Sequence, residues 1–216
     1  MDFIGAYSAG NLQFLLSGLL VTLKVALISG VLSLIIGIFI AIIRYAKIPV
    51  LSQVLMIIVE AIRNLPLLLI LFFARFALPE VGINLEIITA AIIALTIFES
   101  AMISEVIRSG LNSIDKGQIE AARSSGLSYS ATLWHIILPQ AFRRMVPPTV
   151  SQLISLIKDT SLTVVISLPE LLHNAQIING RSVDYVIPIF LLVAMMYFTV
   201  NYILSILAKR LEVRQA

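Results

Sequence analysis

The chain of 216 residues contains no cysteine. Disulfides, thiolate metal sites and cysteine nucleophiles are therefore excluded. Charge is nearly as scarce. Asp, Glu, Lys and Arg make up 12% of the residues, about half the share found in an ordinary soluble domain. A disordered chain is excluded as well, because 59% of the residues are hydrophobic. The net charge of +3 is too small to point to nucleic acid. No Gly-Lys dipeptide occurs, so the usual phosphate-cradling loop for ATP is missing. No Gly-x-Ser-x-Gly elbow supports serine hydrolysis. His135 and His173 stand apart from any metal set and read as polar surface residues. What remains is a polytopic membrane protein, with a mean hydropathy of +1.02.

A helix crosses the hydrocarbon core in about 20 residues. Five segments suit: about 12–43, 53–73, 86–107, 149–168 and 186–208. The first is longer than one crossing needs, so its start is left open. The expected fold class is all-α, one transmembrane domain over residues 1–216. The opening residues carry Asp2 and no basic stretch, so no signal peptide is expected and the first span is retained.

An odd number of spans puts the termini on opposite sides, and Lys and Arg choose the side. With the C-terminus inside, the inner segments hold Arg44, Lys47, Arg108, Lys116, Arg123, Arg143, Arg144, Lys209, Arg210 and Arg214. The outer segments hold Arg75 and Arg181. Lys24, Arg63 and Lys158 fall within spans, Lys24 near the outer end, where it is expected to snorkel. The bias predicts an external N-terminus and a cytoplasmic C-terminus.

The largest polar insertion, 108–148, lies between the third and fourth spans. Gln118–Ser125 is rich in helix formers, and Gly126 interrupts it. Ser128 or Ser130 is placed to cap a second short helix, which Pro139 then limits. A compact cytoplasmic loop of this kind suits docking to a partner.

Within that loop stand Glu120-Ala121-Ala122, three residues, Gly126, nine residues, Ile136, one residue, and Leu138-Pro139. The pattern resembles the EAA signature of the membrane subunits of ATP-binding-cassette (ABC) importers, with matching spacing throughout. Small Ala121 and Ala122 let the helix sit close in a groove. Glu120 offers a carboxylate at its edge, and Gly126 permits the chain reversal. The resemblance implies that Glu120, Ala121, Ala122 and Gly126 form the coupling helix region held by an ATPase subunit.

The resemblance is closest to permeases of the polar amino acid uptake family, and it runs from about residue 17 to the end. Gly18 to Leu23 resembles the family's G-x-x-x-T-L. Arg63-Asn64-Leu65-Pro66-Leu67-Leu68 resembles R-G-T-P-L-L. Ser104-Glu105-Val106-Ile107-Arg108-Ser109-Gly110 resembles A-E-x-x-R-G-G, and Lys158-Asp159-Thr160-Ser161-Leu162 resembles K-x-T-S-L. Asn64-Leu65, Met102, Ser109 and the extra carboxylate Glu99 depart from the pattern. The family implies a type I ABC importer permease fold with five spans and an external N-terminus. It also implies a second permease subunit, identical or related, and an ATPase dimer. An external substrate-binding protein or domain delivers the polar amino acid. ATP and magnesium belong to the ATPase, and no cofactor is expected in this chain. The implied setting is the cytoplasmic membrane of a prokaryote.

Charges deep in a bilayer cost a few kcal/mol each, so they normally face protein or water. Glu60 and Arg63 lie roughly 10–15 Å into the second span at about 1.5 Å per residue. Glu99 lies near the middle of the third span, where its departure from the family pattern favours a specificity role. Glu105 and Arg108 lie near that span's inner end. In the fourth span Ser151, Ser155, Lys158 and Asp159 follow helical spacing and build a polar stripe, expected to face the interior or an aqueous path. Glu60, Arg63, Glu99, Ser155, Lys158 and Asp159 are thus candidate pathway residues for a zwitterionic substrate. The alternative is that the charges only pair with one another, Glu60 with Arg63 and Glu105 with Arg108, each three residues apart on one helix face, and hold the bundle together. A stand-alone carrier driven by ions, with Glu60, Glu99 and Asp159 as a proton relay, is the rival function. An intramembrane enzyme has no recognisable nucleophile–base pair.

Overall fold

The computed structural model describes residues 1–213, with side chains to residue 210. Arg214, counted among the inner basic residues, lies outside the described residues. The described chain is helical throughout its regular structure. After a short turn of helix at Phe3–Ala6 comes α1, Ala9–Tyr45. It is followed by α2 (Leu51–Asn64), α3 (Leu67–Glu80), α4 (Ile87–Asn112) and α5 (Lys116–Ser124). Then come α6 (Tyr129–Ile166), α7 (Leu171–Asn179) and α8 (Val186–Val213). Helices α1, α4, α6 and α8 are each long and apolar enough to cross a membrane. The bent pair α2–α3 makes a fifth span when taken together.

At 37 residues, α1 is about 55 Å long at 1.5 Å per residue. It outreaches the roughly 30 Å of hydrocarbon. Its buried face is made of small residues, among them Gly18, Thr22, Ser29, Ser33, Gly37 and Ala41. Helix α4 answers with Ala90, Ala91, Ala94, Ser100, Ala101 and Ser104. These two helices form the most extensive contact in the molecule. The reason is physical: apolar side chains gain little by leaving lipid, so association depends on close backbone approach. A Cβ on Gly37 would stand 2.9 Å from Ile103 Cγ2 and 3.1 Å from the Ser100 carbonyl oxygen.

Three apolar clusters stack along the bundle. One end joins Ala6, Leu15, Leu171, Ala175 and Ile189. The middle joins Val25, Leu71, Ala94, Leu95 and Leu156. The end beside α5 joins Ala41, Ile103, Leu111, Ile114, Ile137 and Ala141, with Ile119 of α5 packed on it.

Two expectations are corrected. The second span is not one helix over 53–73. Leu65 is extended, and α2 and α3 meet at 103°. Pro66 explains the break, because it disfavours helical geometry at Leu65 and has no N–H to give. Pro139 does not end a short helix. The helix begun at Tyr129 runs on into the fourth span, so that span starts well before Thr149. A π turn at Leu133–Ile137, in which the Leu138 N–H donates to the Leu133 carbonyl, widens the helix ahead of the proline. Pro139 then sits in the first turn of the next α-helical stretch, where a missing N–H costs least.

The packing of Gly18 is testable. A Cβ there would lie 2.9 Å from the Glu170 backbone and 2.8 Å from Asn174 Nδ2. Gly18→Val should destabilise the fold by about 1–3 kcal/mol, read as a lower unfolding midpoint in detergent. Gly10→Ala, which meets nothing within 4 Å, should not lower it.

Candidate functional site

The loop between α4 and α6 is ordered by local chemistry. Asp115 caps α5 by accepting from the Gly117 N–H at 2.7 Å. Ser128 caps α6 by accepting from the Ala131 N–H at 3.2 Å. Between them Gly126 adopts φ +85°, a conformation that side chains disfavour. Glu120, Ala121 and Gly126 are exposed, whereas Ala122 is buried at 8% against the bundle. The Gln140 side chain of α6 donates to Gln118 Oε1 of α5. The α5 segment therefore presents one face outward while its other face is fastened to the two long helices beside it.

Directly above this loop is a cluster of charge. Glu105 of α4 is chelated by Arg108, one turn on, through two hydrogen bonds. It also accepts from Arg44 Nη1 of α1 at 2.9 Å. Arg63 Nη1 of α2 reaches the same carboxylate at 3.9 Å and Glu60 at 3.5 Å. The expected pairings Glu60–Arg63 and Glu105–Arg108 are both present, and one ion network joins them. Arg44, which the basic-residue bias counts only toward orientation, has a side chain 7% exposed and belongs to this network. Nothing in its sequence position marked it out, because its partner lies 61 residues away.

A cavity of about 420 Å³ opens beside the network between α2, α4 and α6. Arg63, Met102, Glu105, Ser109, Ser113, Arg144 and Gln152 are among its lining residues. Glu99 is not among them. It is completely buried between α4 and α6, where Gln152 Nε2 donates to its Oε2 at 3.2 Å. Its Oε1 has no partner among the described residues. Ser155 and Asp159 continue the face of α6 that carries Gln152, and both are partly buried. Ser151 and Lys158 are exposed in the single chain. The expected interior stripe is thus split between two faces of α6. Lys158 and Asp159 make no ion pair with the α2–α4 network among the described residues. Lys24 is exposed. His135 is exposed, as expected of a polar surface residue, whereas His173 is half-buried.

At the opposite end, Glu170 forms a centre that sequence reasoning missed. It is completely buried. It caps α7 by accepting from the N–H groups of Leu172 at 3.0 Å and His173 at 2.7 Å. It also accepts from the Tyr197 hydroxyl of α8 at 2.9 Å and the Thr22 hydroxyl of α1 at 3.4 Å. Burial pushes its carboxyl above the ordinary range, while the four donated hydrogen bonds pull it down. The only available signal was an acidic residue after Pro169 at a helix start. No ligand role follows from it; the group ties three helices together.

Residues 9–216 match the family described as binding-protein-dependent transport system inner membrane component. The probable glutamine ABC transporter permease protein GlnP of Bacillus subtilis (strain 168) is 70% identical over 217 residues, covering 100% of both chains. The L-cystine transport system permease protein TcyB of the same organism is 36% identical, covering 91% of this chain and 84% of its own. A crystal structure of an amino acid ABC transporter with histidines superposes with a TM-score of 0.92 at 31% identity, covering 99% of each chain.

The ion network can be tested on stability. Glu105→Ala leaves Arg44 buried without its carboxylate, which should cost about 3–5 kcal/mol. Adding Arg44→Met should recover part of that loss. A loss in the double variant equal to the sum of the two single losses would contradict the coupling.

Proposed function

Because the chain belongs to the family of binding-protein-dependent transport system inner membrane components, and is the amino acid permease of an ABC importer, we propose that its substrate is glutamine. The identity of 70% along the full length of a probable glutamine permease carries this reading. A carrier driven by ions alone is not favoured, since the whole chain follows the ABC permease pattern.

The reading has three mechanical parts. Two permease chains, identical or related, enclose the pathway, because one chain of five spans is too small to do so. An ATPase dimer, which holds ATP and magnesium, receives the exposed face of α5 with Glu120, Ala121 and Gly126 at its surface and Ala122 behind it. The fastening of α5 to α4 and α6 passes the movement of that dimer into the spans. An external binding protein delivers the amino acid. The excess of Lys and Arg on the α5 side supports an orientation with the N-terminus outside and the C-terminus in the cytoplasm. The pathway is carried by Glu60 and Arg63 on α2, by Ser155 and Asp159 on the Gln152 face of α6, and by Lys158 on its exposed face. Glu99 acts from behind, through Gln152. Exposed Lys158 suits a surface turned toward the second permease subunit or the pathway between the two.

Two experiments test these assignments. Glu120→Lys should abolish co-purification of the ATPase and reduce ATP-driven uptake to background, while the permease still folds and inserts. Retention of both association and uptake would sink the coupling role. Glu99→Gln and Lys158→Met should shift transport kinetics or amino acid preference without loss of the ATPase. Unchanged kinetics in both would remove these residues from the pathway.

A further inference from the structure

The ion network at the inner end is unevenly shared. Glu105 is satisfied by Arg44 and Arg108, which hold both of its oxygens in hydrogen bonds. Arg63 is held less closely. Its two carboxylate contacts, 3.5 Å to Glu60 and 3.9 Å to Glu105, are ion pairs beyond good hydrogen-bond length. Its Nε is buried without a hydrogen-bond partner among the described residues. Its side chain is 33% exposed, so the Nη1 and Nη2 end is a fork of donors with no close partner.

That fork lines the cavity of about 420 Å³, a volume typical of small-ligand pockets. Arg144 lines it from α6 and is steadied by the Ser113 carbonyl and by Ser113 Oγ at 3.2 Å. Arg144 and the three arginines of the network outnumber the carboxylates of Glu60, Glu105 and Glu99 behind Gln152, and Glu60 is 63% exposed. The cavity therefore carries excess positive charge. Ser109 and Gln152 add uncharged polar groups to its wall. Gln152 spends its amide N–H on Glu99, which leaves its Oε1 as an acceptor. The cavity sits beside Ser113, immediately before the α5 loop, and hence at the ATPase end of the bundle.

We propose that this cavity is a carboxylate-binding subsite at the inner mouth, in which Arg63 and Arg144 hold the α-carboxylate of a free amino acid. The acceptor of Gln152 is available to its ammonium or side-chain amide. The inference rests on the amino acid permease reading and adds to it a defined place of contact. Two sources can fill the subsite: substrate leaving the pathway, or amino acid from the ATPase-side pool.

Equilibrium binding to the permease–ATPase complex in nanodiscs, with no binding protein present, tests it. Radiolabelled glutamine should bind, and its α-carboxamide should bind about tenfold more weakly or worse. Arg144→Gln and Arg63→Gln should each weaken glutamine by a similar factor, about the worth of one charge-assisted hydrogen bond. Neither should further weaken the carboxamide. Equal affinity for acid and amide overturns the subsite, as does undetectable glutamine binding. The amide comparison needs no variant, so it decides the matter even if Arg63→Gln fails to assemble. In proteoliposomes, glutamine supplied on the ATPase side should slow ATP-driven uptake, and Arg144→Gln should relieve the slowing. Slowing only from the opposite side would overturn the inner location. Absence of ATP-driven glutamine uptake would overturn the substrate reading. Uptake with no acid–amide discrimination in binding would overturn the subsite alone.

Discussion

Helices inside a bilayer gain little by hiding apolar side chains from an apolar solvent, and the bundle depends on the contacts that remain effective there. Close approach is one. The small-residue face of α1 against the alanine and serine face of α4 brings two long helices near enough for dispersion to accumulate along their length. Gly37 against Ile103 and Gly18 against the Glu170 backbone mark where a single Cβ would push them apart. Satisfied charge is the other. Glu105 draws on α1, α2 and α4 at one end, and Glu170 draws on α1, α7 and α8 at the other.

These two carboxylates differ in what surrounds them, and the difference separates rigidity from movement. Glu170 is sealed and accepts four hydrogen bonds from well-packed partners, two of them from the backbone of its own helix. Glu105 stands beside a cavity, with one of its three cations held at a longer distance on α2. That helix buries only Val59 and is broken from α3 at Pro66. The Glu170 end of the bundle is thus tied firmly, while the end next to α5 retains a weakly packed helix and a loosely bound arginine. The coupling proposed at α5 would call for compliance at that end.

Much of the function could be read along the chain. The spacing of Glu120-Ala121-Ala122, Gly126, Ile136 and Leu138-Pro139 predicted a docking loop. The structure gave it caps at Asp115 and Ser128 and a left-handed turn at Gly126. The i,i+3 pairs Glu60–Arg63 and Glu105–Arg108 were legible because helical spacing alone brings their side chains together. Pro66 breaks the second span, and the break is close to a right-angled turn. A proline forbids continuation but does not set the new direction, which follows from the packing of α3 on α4.

Hydrophobic runs, small-residue faces and the spaced pattern from Glu120 to Pro139 are local properties, set by the order of side chains along the helices, and the amino-acid order determined them. Tertiary structure decided what depends on distance through space. Arg44 meets Glu105 across 61 residues. Thr22 and Tyr197 converge on Glu170 from helices far apart in the chain. Glu99 is withdrawn behind Gln152, while Lys158 faces outward, although both read as midplane charges. Helical periodicity places a residue on a face, but only the neighbours across that face decide whether its charge is paired, buried or free to meet a ligand.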